Sequence, residues 1–237
     1  MIISNSWNFV FIHLHKCAGT SVEVALSKIL NYNDILIGST PEGEKQQEFF
    51  KRTIGLNKHS TAREVQKFLG AEHWEHMFSF AFVRHPLHRL YSLYNYSLKL
   101  AAPHVKSEHI GKPGILSTLP SHAPMTFNSV KAAISSKNFN EFVLNDFTWK
   151  DPGAMSQSSS LSNDKGLMIK KFYKVERMEE SWNHVLARFP GAGPLERLNT
   201  SLDRAAGNDP KTLLGEEAKR KVQDAYARDF STFEYQF

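Results

Sequence analysis

Two strongly apolar runs stand out along a chain of 237 residues. The first, Phe9-Val10-Phe11-Ile12, leads into Lys16 and then Gly19-Thr20-Ser21. From Thr20 to Leu30 the apolar positions Val22, Ala25, Leu26, Ile29 and Leu30 recur at helical spacing, so the stretch reads as strand, tight loop and helix. Thr20 and Glu23 have the spacing of a capping box. The second run, FSFAFV at Phe78–Val83, is too apolar for a half-exposed strand and predicts a buried parallel one. Arg84 ends it, and Pro86 opens a helix at the position where proline is tolerated. Leu87, Leu90, Tyr91, Tyr94 and Leu98 form that helix's buried stripe, with Ser92 on a different face.

The remaining pattern is weaker. Residues 38–58 are polar and read as loop, with a short helix around Gly43–Arg52. Ser60–Leu69 reads as helix: Thr61 and Glu64 form a capping box, Val65, Phe68 and Leu69 give the stripe, and Gly70 is the stop. Residues 101–125 have no periodicity and predict a long loop of the functional kind. A helical region is expected around Asn128–Phe147, loop over 151–166, a third strand at Lys171–Val175 and a helix over Met178–Arg188. Another loop over 199–211 precedes a last helix at Gly215–Phe230. The aromatic tail (Phe230, Phe233, Tyr235, Phe237) reads as core packing. Strands alternating with helices, without repeat or linker, imply one α/β domain over 1–237 with a mostly parallel central sheet flanked by helices.

Composition narrows the function classes. The hydrophobic fraction of 41% is a globular value. A net charge of +5 suits an anionic ligand but is too mild, without an arginine-rich tract, to argue for nucleic acid. Cys17 is the single cysteine, so no intrachain disulfide forms and a reducing compartment fits. No run of about 18 apolar residues is present to span a membrane. The first strand starts close to Met1, leaving no room for a signal peptide. A complete chain is therefore expected to be cytoplasmic, although a luminal protein trimmed of its leader reads the same.

The turn at Lys16–Ser21 offers a cation, backbone N–H groups and two hydroxyls at a helix N-terminus, a set that suits a phosphate and can stabilise a leaving oxygen. Its lysine precedes the glycine, whereas in the Walker A pattern it follows. The local pattern alone leaves an ordinary strand–helix turn open. Arg84 at the end of a buried strand, with Ser92 eight residues later, suits a second phosphate. In open parallel sheets ligands bind at the carboxyl ends of strands, so both motifs fit one rim. Arg84 alone would equally suit a structural ion pair.

FIHLHKCAGTS resembles the 5′-phosphosulfate loop of sulfotransferases that use 3′-phosphoadenosine 5′-phosphosulfate (PAPS), whose family-2 branch reads approximately HxPKxxGTS. FAFVRHPLHRLYSLY resembles that family's 3′-phosphate motif, LNTSLDR a later cofactor-covering segment, and AYARDFSTFEY the final helix and tail. The matches keep the family's order over positions 9–235 and lie closest to the carbohydrate branch, which includes heparan sulfate 2-O- and 6-O-sulfotransferases and bacterial relatives. One departure is His15, which stands where the family usually has proline and bears on loop rigidity rather than chemistry. The resemblance implies a P-loop NTPase-like sulfotransferase fold, PAPS as donor and a hydroxyl acceptor on a glycan or small molecule. It implies that Lys16 meets the phosphosulfate, that Ala18, Gly19, Thr20 and Ser21 cradle the 5′-phosphate, and that Arg84 and Ser92 hold the 3′-phosphate. Asn199, Thr200 and Ser201 would join the same cofactor site.

The resemblance also assigns His59, in GLNKHSTAREV, to the place of the catalytic base in the 6-O branch. A histidine at a helix N-terminus has its cationic form disfavoured by the dipole, which keeps the imidazole available as a base. Among 11 histidines it can equally be a surface or capping residue. His13 and His15 alternate and share a face, while His73/His76 and His85/His88 have i, i+3 spacing, but no third ligand accompanies any pair and no metal is expected. Cys17 lies near a helix start, yet direct transfer needs no thiol nucleophile. The rival enzyme reading is a nucleotide or small-molecule kinase, weakened by the missing GxxxxGK[ST]. Acceptor identity and oligomeric state have no motif.

Overall fold

The chain starts with Ile2–Ser4 (β1), which turns back into Phe9–Ile12 (β2). The computed structural model describes residues 1–196 and 209–237. These form two compact units, the first from Met1–Arg84 with the stretch from Gln157, the second from His85–Ser156 with the C-terminal stretch.

In the first unit, β1 pairs antiparallel with β2 and with the short strand Ile35–Leu36 (β3). Phe78–Val83 (β4) lies parallel to β2, with Ile12 opposite Ala81. Among the described residues the hairpin Ser162–Asn163 (β5) and Gly166–Leu167 (β6) stands apart, and Lys171–Lys174 (β7) joins β4 in parallel. The sheet order is β3-β1-β2-β4-β7. The three expected strands therefore form the parallel half. Two short antiparallel strands, too brief to carry a pattern, make the whole sheet mixed. Phe9, Phe11, Phe80 and Phe82 are all fully buried. Their rings interlock with Phe189 and Tyr173, as in the 4.6 Å Phe9–Phe189 and 5.4 Å Phe82–Tyr173 pairs.

Helix Gly19–Leu26 (α1) follows β2. Its N-cap is Ala18 in the left-handed region, with no side-chain hydrogen bond capping it, so the expected Thr20–Glu23 capping box is not formed. Thr20 already lies inside the first turn, and Glu23 is drawn inward to buried partners described below. Pro41–Ile54 (α2) replaces the expected loop with a short helix. Thr40 caps it, Pro41 stands at its first turn and Gly55 ends it at φ 73°. Only Gly43 on it is buried, so no apolar stripe announced its length. Ala62–Leu69 (α3) carries the expected Thr61–Glu64 capping box. Gly70 stops α3 as expected, at φ 82°, and opens Ala71–His76 (α4).

The second unit starts with Pro86–Ala101 (α5), its proline at the first turn as expected. The region expected to be helical around 128–147 is broken into Asn128–Ser135 (α6), Phe139–Leu144 (α7) and Asp146–Trp149 (α8). The Asn138 and Asn145 side chains cap the last two, accepting from Glu141 N and Phe147 N. In the first unit, residues 157–161, expected as loop, form helix Gln157–Leu161 (α9), and Met178–Arg188 (α10) follows β7 as expected. The final helix is split at Tyr226 into Glu216–Ala225 (α11) and Ala227–Thr232 (α12). Leu87, Leu90, Leu93, Phe139, Phe142 and Val222 are among the residues of this unit's core. The tail packs as expected: Phe233 is fully buried and Phe230 meets Phe237 edge-on at 5.7 Å. Among the described residues no helix is long and apolar enough to cross a membrane.

Candidate active site

β2 ends at Ile12, and the chain then runs through a strained loop into α1. Lys16 has φ 62° and Ala18 φ 59°, left-handed conformations that cost non-glycine residues about 1–3 kcal/mol each. Such strain persists only where the surroundings enforce it, and it clusters at binding sites. Alternating backbone of this kind turns N–H groups toward one point, and α1 adds the positive end of its dipole. Gly19 has no side chain because none fits: a Cβ there would lie 2.1 Å from the His13 ring.

His13 and Glu23 form the floor beneath this loop. Both are buried, and His13 Nδ1 lies 2.9 Å from Glu23 Oε1. Glu23 also contacts the buried Met1 amine, which donates to Ile37 O at 3.0 Å. Burial holds the His13 imidazole well below its ordinary pKa, and the Met1 amine adds to that. His13 is therefore neutral, with its Nδ1 close to the Glu23 carboxylate. The inward turn of Glu23 is the reason it does not close a capping box with Thr20.

His59 joins this floor from the loop before α3. Its backbone N–H is fixed by Asn57 Oδ1 at 2.8 Å, and its Nδ1 lies 2.9 Å from His13 O. Its ring stacks on His15 at 3.5 Å and 26°, and meets His13 edge-on at 4.7 Å. His13 and His15 thus share a face as expected, and His59 is what that face meets. Its pKa falls to about 2, first from burial and next from the facing His15 imidazole. The neutral state expected at a helix start is therefore found, with desolvation as its main cause.

Arg84 follows directly on β4, in the same unit as the Lys16 loop. One side chain joins the two: Gln157 Oε1 accepts from Arg84 N at 2.8 Å and lies 3.2 Å from Cys17 Sγ. Ser92 is in the second unit, where it too is buried on α5. Asn199, Thr200 and Ser201 lie outside the described residues. The structure therefore brings Lys16, Ala18, Gly19, Thr20, Ser21 and His59 into one neighbourhood and ties Arg84 to it through Gln157. Sequence reasoning gave no role to Glu23 beyond a cap, or to Gln157, whose partners lie 73 and 140 positions away.

This strand–loop–helix architecture is not isolated. A model of the sulfotransferase family matches residues 1–236, nearly the whole chain. The chain belongs to the sulfotransferase family. It is thus a transferase of sulfuryl groups, on the family's α/β fold with a central five-stranded sheet. No curated protein and no solved structure gives a significant match.

Proposed function

We propose that this sulfotransferase moves the sulfuryl group of PAPS to a hydroxyl on a carbohydrate acceptor by in-line displacement, with His59 as general base. The observation that carries the reading is the neutral His59 imidazole held against the His13–Gly19 loop. The residues fit an anionic donor: α1 is uncapped by any side chain, Lys16 and Ala18 are left-handed, and Gly19 leaves the backbone bare. PAPS, when bound, supplies the sulfuryl group and a phosphate leaving oxygen.

The chain's own residues do the rest. Lys16 balances charge on the leaving oxygen, worth several kcal/mol when such a group is preorganised, about 3 for one donor. Ala18, Gly19, Thr20 and Ser21 hold the 5′-phosphate, and Arg84 holds the 3′-phosphate as a forked donor. Ser92 rests on its spacing from Arg84, and Asn199, Thr200 and Ser201 on their motif in the sequence. His59 Nε2 takes the acceptor proton. A pKa of about 2 makes a weak base before the donor binds. Negative charge on the neighbouring loop raises it, because an anion favours the imidazolium. The chemistry asks no metal of the chain, since Lys16 and Arg84 meet the donor's charge.

The family match runs through both units, so 1–237 is read as one sulfotransferase domain. The buried Cys17 thiol suits a reducing compartment such as the cytoplasm. The test is calorimetric binding of 3′-phosphoadenosine 5′-phosphate (PAP) against Mg-ATP, followed by transfer from labelled PAPS to desulfated glycans, alcohols and phenols. Micromolar PAP binding without Mg²⁺ and labelled glycan support the reading. Preference for Mg-ATP would turn it to a kinase, and labelling of phenols alone would remove the carbohydrate.

A further inference from the structure

We propose that Gln157 is a positioning residue that locks the Lys16 loop to the end of β4 and so fixes the spacing of the two donor-binding cations. The inference rests on the donor reading above and adds a residue to it. Gln157 is 1% exposed, buried in a run of serines at the start of α9. Its amide makes a two-bond pair with one backbone residue: Oε1 accepts from Arg84 N at 2.8 Å, and Nε2 donates to Arg84 O at 2.8 Å. That is the pairing a neighbouring strand would give, so β4 is effectively continued one residue past Val83. Arg84 is thereby held at both its backbone polar groups.

The same oxygen carries the second half of the clamp. Arg84 N can only donate and Arg84 O can only accept, so one orientation of the amide satisfies both. That orientation turns Oε1 toward Cys17, whose Sγ lies 3.2 Å away. Sγ also lies 3.4 Å from His15 O. Both neighbours are acceptors, so Cys17 must carry its proton and act as the donor. This thiol sits between the two left-handed residues Lys16 and Ala18. One buried amide thus holds the residue between the strained positions of one loop and the backbone of the arginine at the end of the next strand. The ladder between β2 and β4 ends at Ile12 and Ala81, short of both residues, so the clamp carries the register of the two strands on to Cys17 and Arg84. A donor with anions at both ends binds to a fixed spacing, and loss of that spacing is read as lost donor affinity.

The test is PAP binding by calorimetry to the full chain, with the melting temperature of the unliganded protein measured beside it. Gln157→Met keeps the volume and removes every hydrogen bond. It is expected to raise the PAP Kd tenfold or more while melting stays within a few degrees. Gln157→Glu adds a readout that loss of packing would not move. As a carboxylate at pH 8 it cannot donate to Arg84 O, and its PAP Kd is expected at least tenfold above wild type. At a site as buried as Gln157 desolvation raises a carboxyl's pKa, so at pH 5.5 it is protonated and regains both bonds, and the Kd is expected within threefold of wild type at that pH. Wild-type affinity in folded Gln157→Met, or no pH recovery in Gln157→Glu, overturns the proposal alone. Should Gln157→Met fail to fold, the pH series on Gln157→Glu decides. Failure of the wild-type protein to bind PAP at all overturns the donor reading and this proposal with it.

Discussion

The Nδ1 atom of His59 lies 2.9 Å from the backbone oxygen of His13, and a carbonyl can only accept. The proton of the neutral His59 ring is therefore on Nδ1 and the lone pair on Nε2. This arrangement orients the His59 ring as a carboxylate orients catalytic histidines, but without a charge that would raise its pKa. His15 stacked at 3.5 Å holds the ring plane. His59→Asn is expected to lower kcat by about 10²–10⁴, the usual worth of general-base assistance, while PAP affinity stays within about threefold. Steady-state kinetics beside PAP calorimetry checks this. Near-wild-type turnover would remove His59 from the chemistry.

The same burial makes a statement about stability. A histidine in the unfolded chain titrates near 6.5, whereas folded His59 does so at about 2. Between those values the unfolded state binds the extra proton. The contribution of His59 is thus complete above pH 6.5 and is lost progressively as pH falls toward 2. His13, also lowered, acts in the same direction. Each such group steepens the loss by up to about 1.4 kcal/mol per pH unit. Urea unfolding from pH 7.5 to 4.5 is expected to show falling stability, with a shallower fall in His59→Gln. Parallel curves for the two proteins would contradict the burial account.

Lys16 and Arg84 are both cations at strand ends, yet their assigned tasks differ. Under the proposed function Arg84 holds a phosphate that does not react, so Arg84→Ala would remove binding common to ground and transition states. It is expected to raise PAPS KM and PAP Kd tenfold or more with kcat within about threefold. If Lys16 meets charge that grows during transfer, as proposed, Lys16→Ala is expected to lower kcat by about 10²-fold or more, the scale of one lost oxyanion donor. Equal effects of the two on kcat would show that the division of labour is wrong.

In the second unit, three consecutive carbonyls are held by two side chains. Arg89, 2% exposed, donates to Gly153 O at 2.7 Å and Met155 O at 2.6 Å. The Tyr226 hydroxyl donates to Ala154 O at 2.7 Å, and burial pushes its pKa to about 12. The guanidinium lies 5.4 Å from the Tyr226 ring. Tyr226→Phe is expected to cost about 1 kcal/mol, a single neutral hydrogen bond, and Arg89→Met about 3, because the buried Gly153 carbonyl and the part-buried Met155 carbonyl lose a charged donor. Denaturant melts give both numbers. An Arg89→Met protein as stable as wild type would show that these carbonyls find water instead.

Which parts were legible in the sequence follows from the range of the forces involved. β2 and β4 were readable because strands buried on both faces need apolar residues at nearly every position, whereas β7, in which only Tyr173 is buried, is not a strand of that kind. The ends of α3 were readable because Thr61, Glu64 and Gly70 act on their own helix. β1 and β3 were not, since three and two residues carry no period. Thr20–Glu23 had the right local spacing, but a tertiary demand won: His13 and the Met1 amine claim the Glu23 carboxylate. His59 was found by its place in a motif, whereas the groups that keep it neutral are supplied from β2's far end. Gln157 had no signal at all. Nothing local marks a glutamine among serines as the partner of Arg84 and Cys17.

Gly19 offers the sharpest steric test of the loop. A methyl group there would meet His13 Cδ2 at 2.1 Å and Nε2 at 2.2 Å, far inside contact distance. The His13 ring is not a flexible end that can swing aside, because the residue is buried and Nδ1 lies only 2.9 Å from Glu23 Oε1. His13 O in turn orients His59. Gly19→Ala must therefore move either the start of α1 or the His13–His59 pair. Both movements damage function, but differently. A shifted α1 misplaces the backbone N–H groups and raises PAP Kd, whereas a shifted His13 leaves PAP binding and lowers kcat. The expected outcome is at least a tenfold loss in kcat/KM, with a stability loss of about 1–3 kcal/mol from overpacking. PAP calorimetry beside turnover tells which element yields, and unchanged values for both would show that the loop does not hold the close approach in solution.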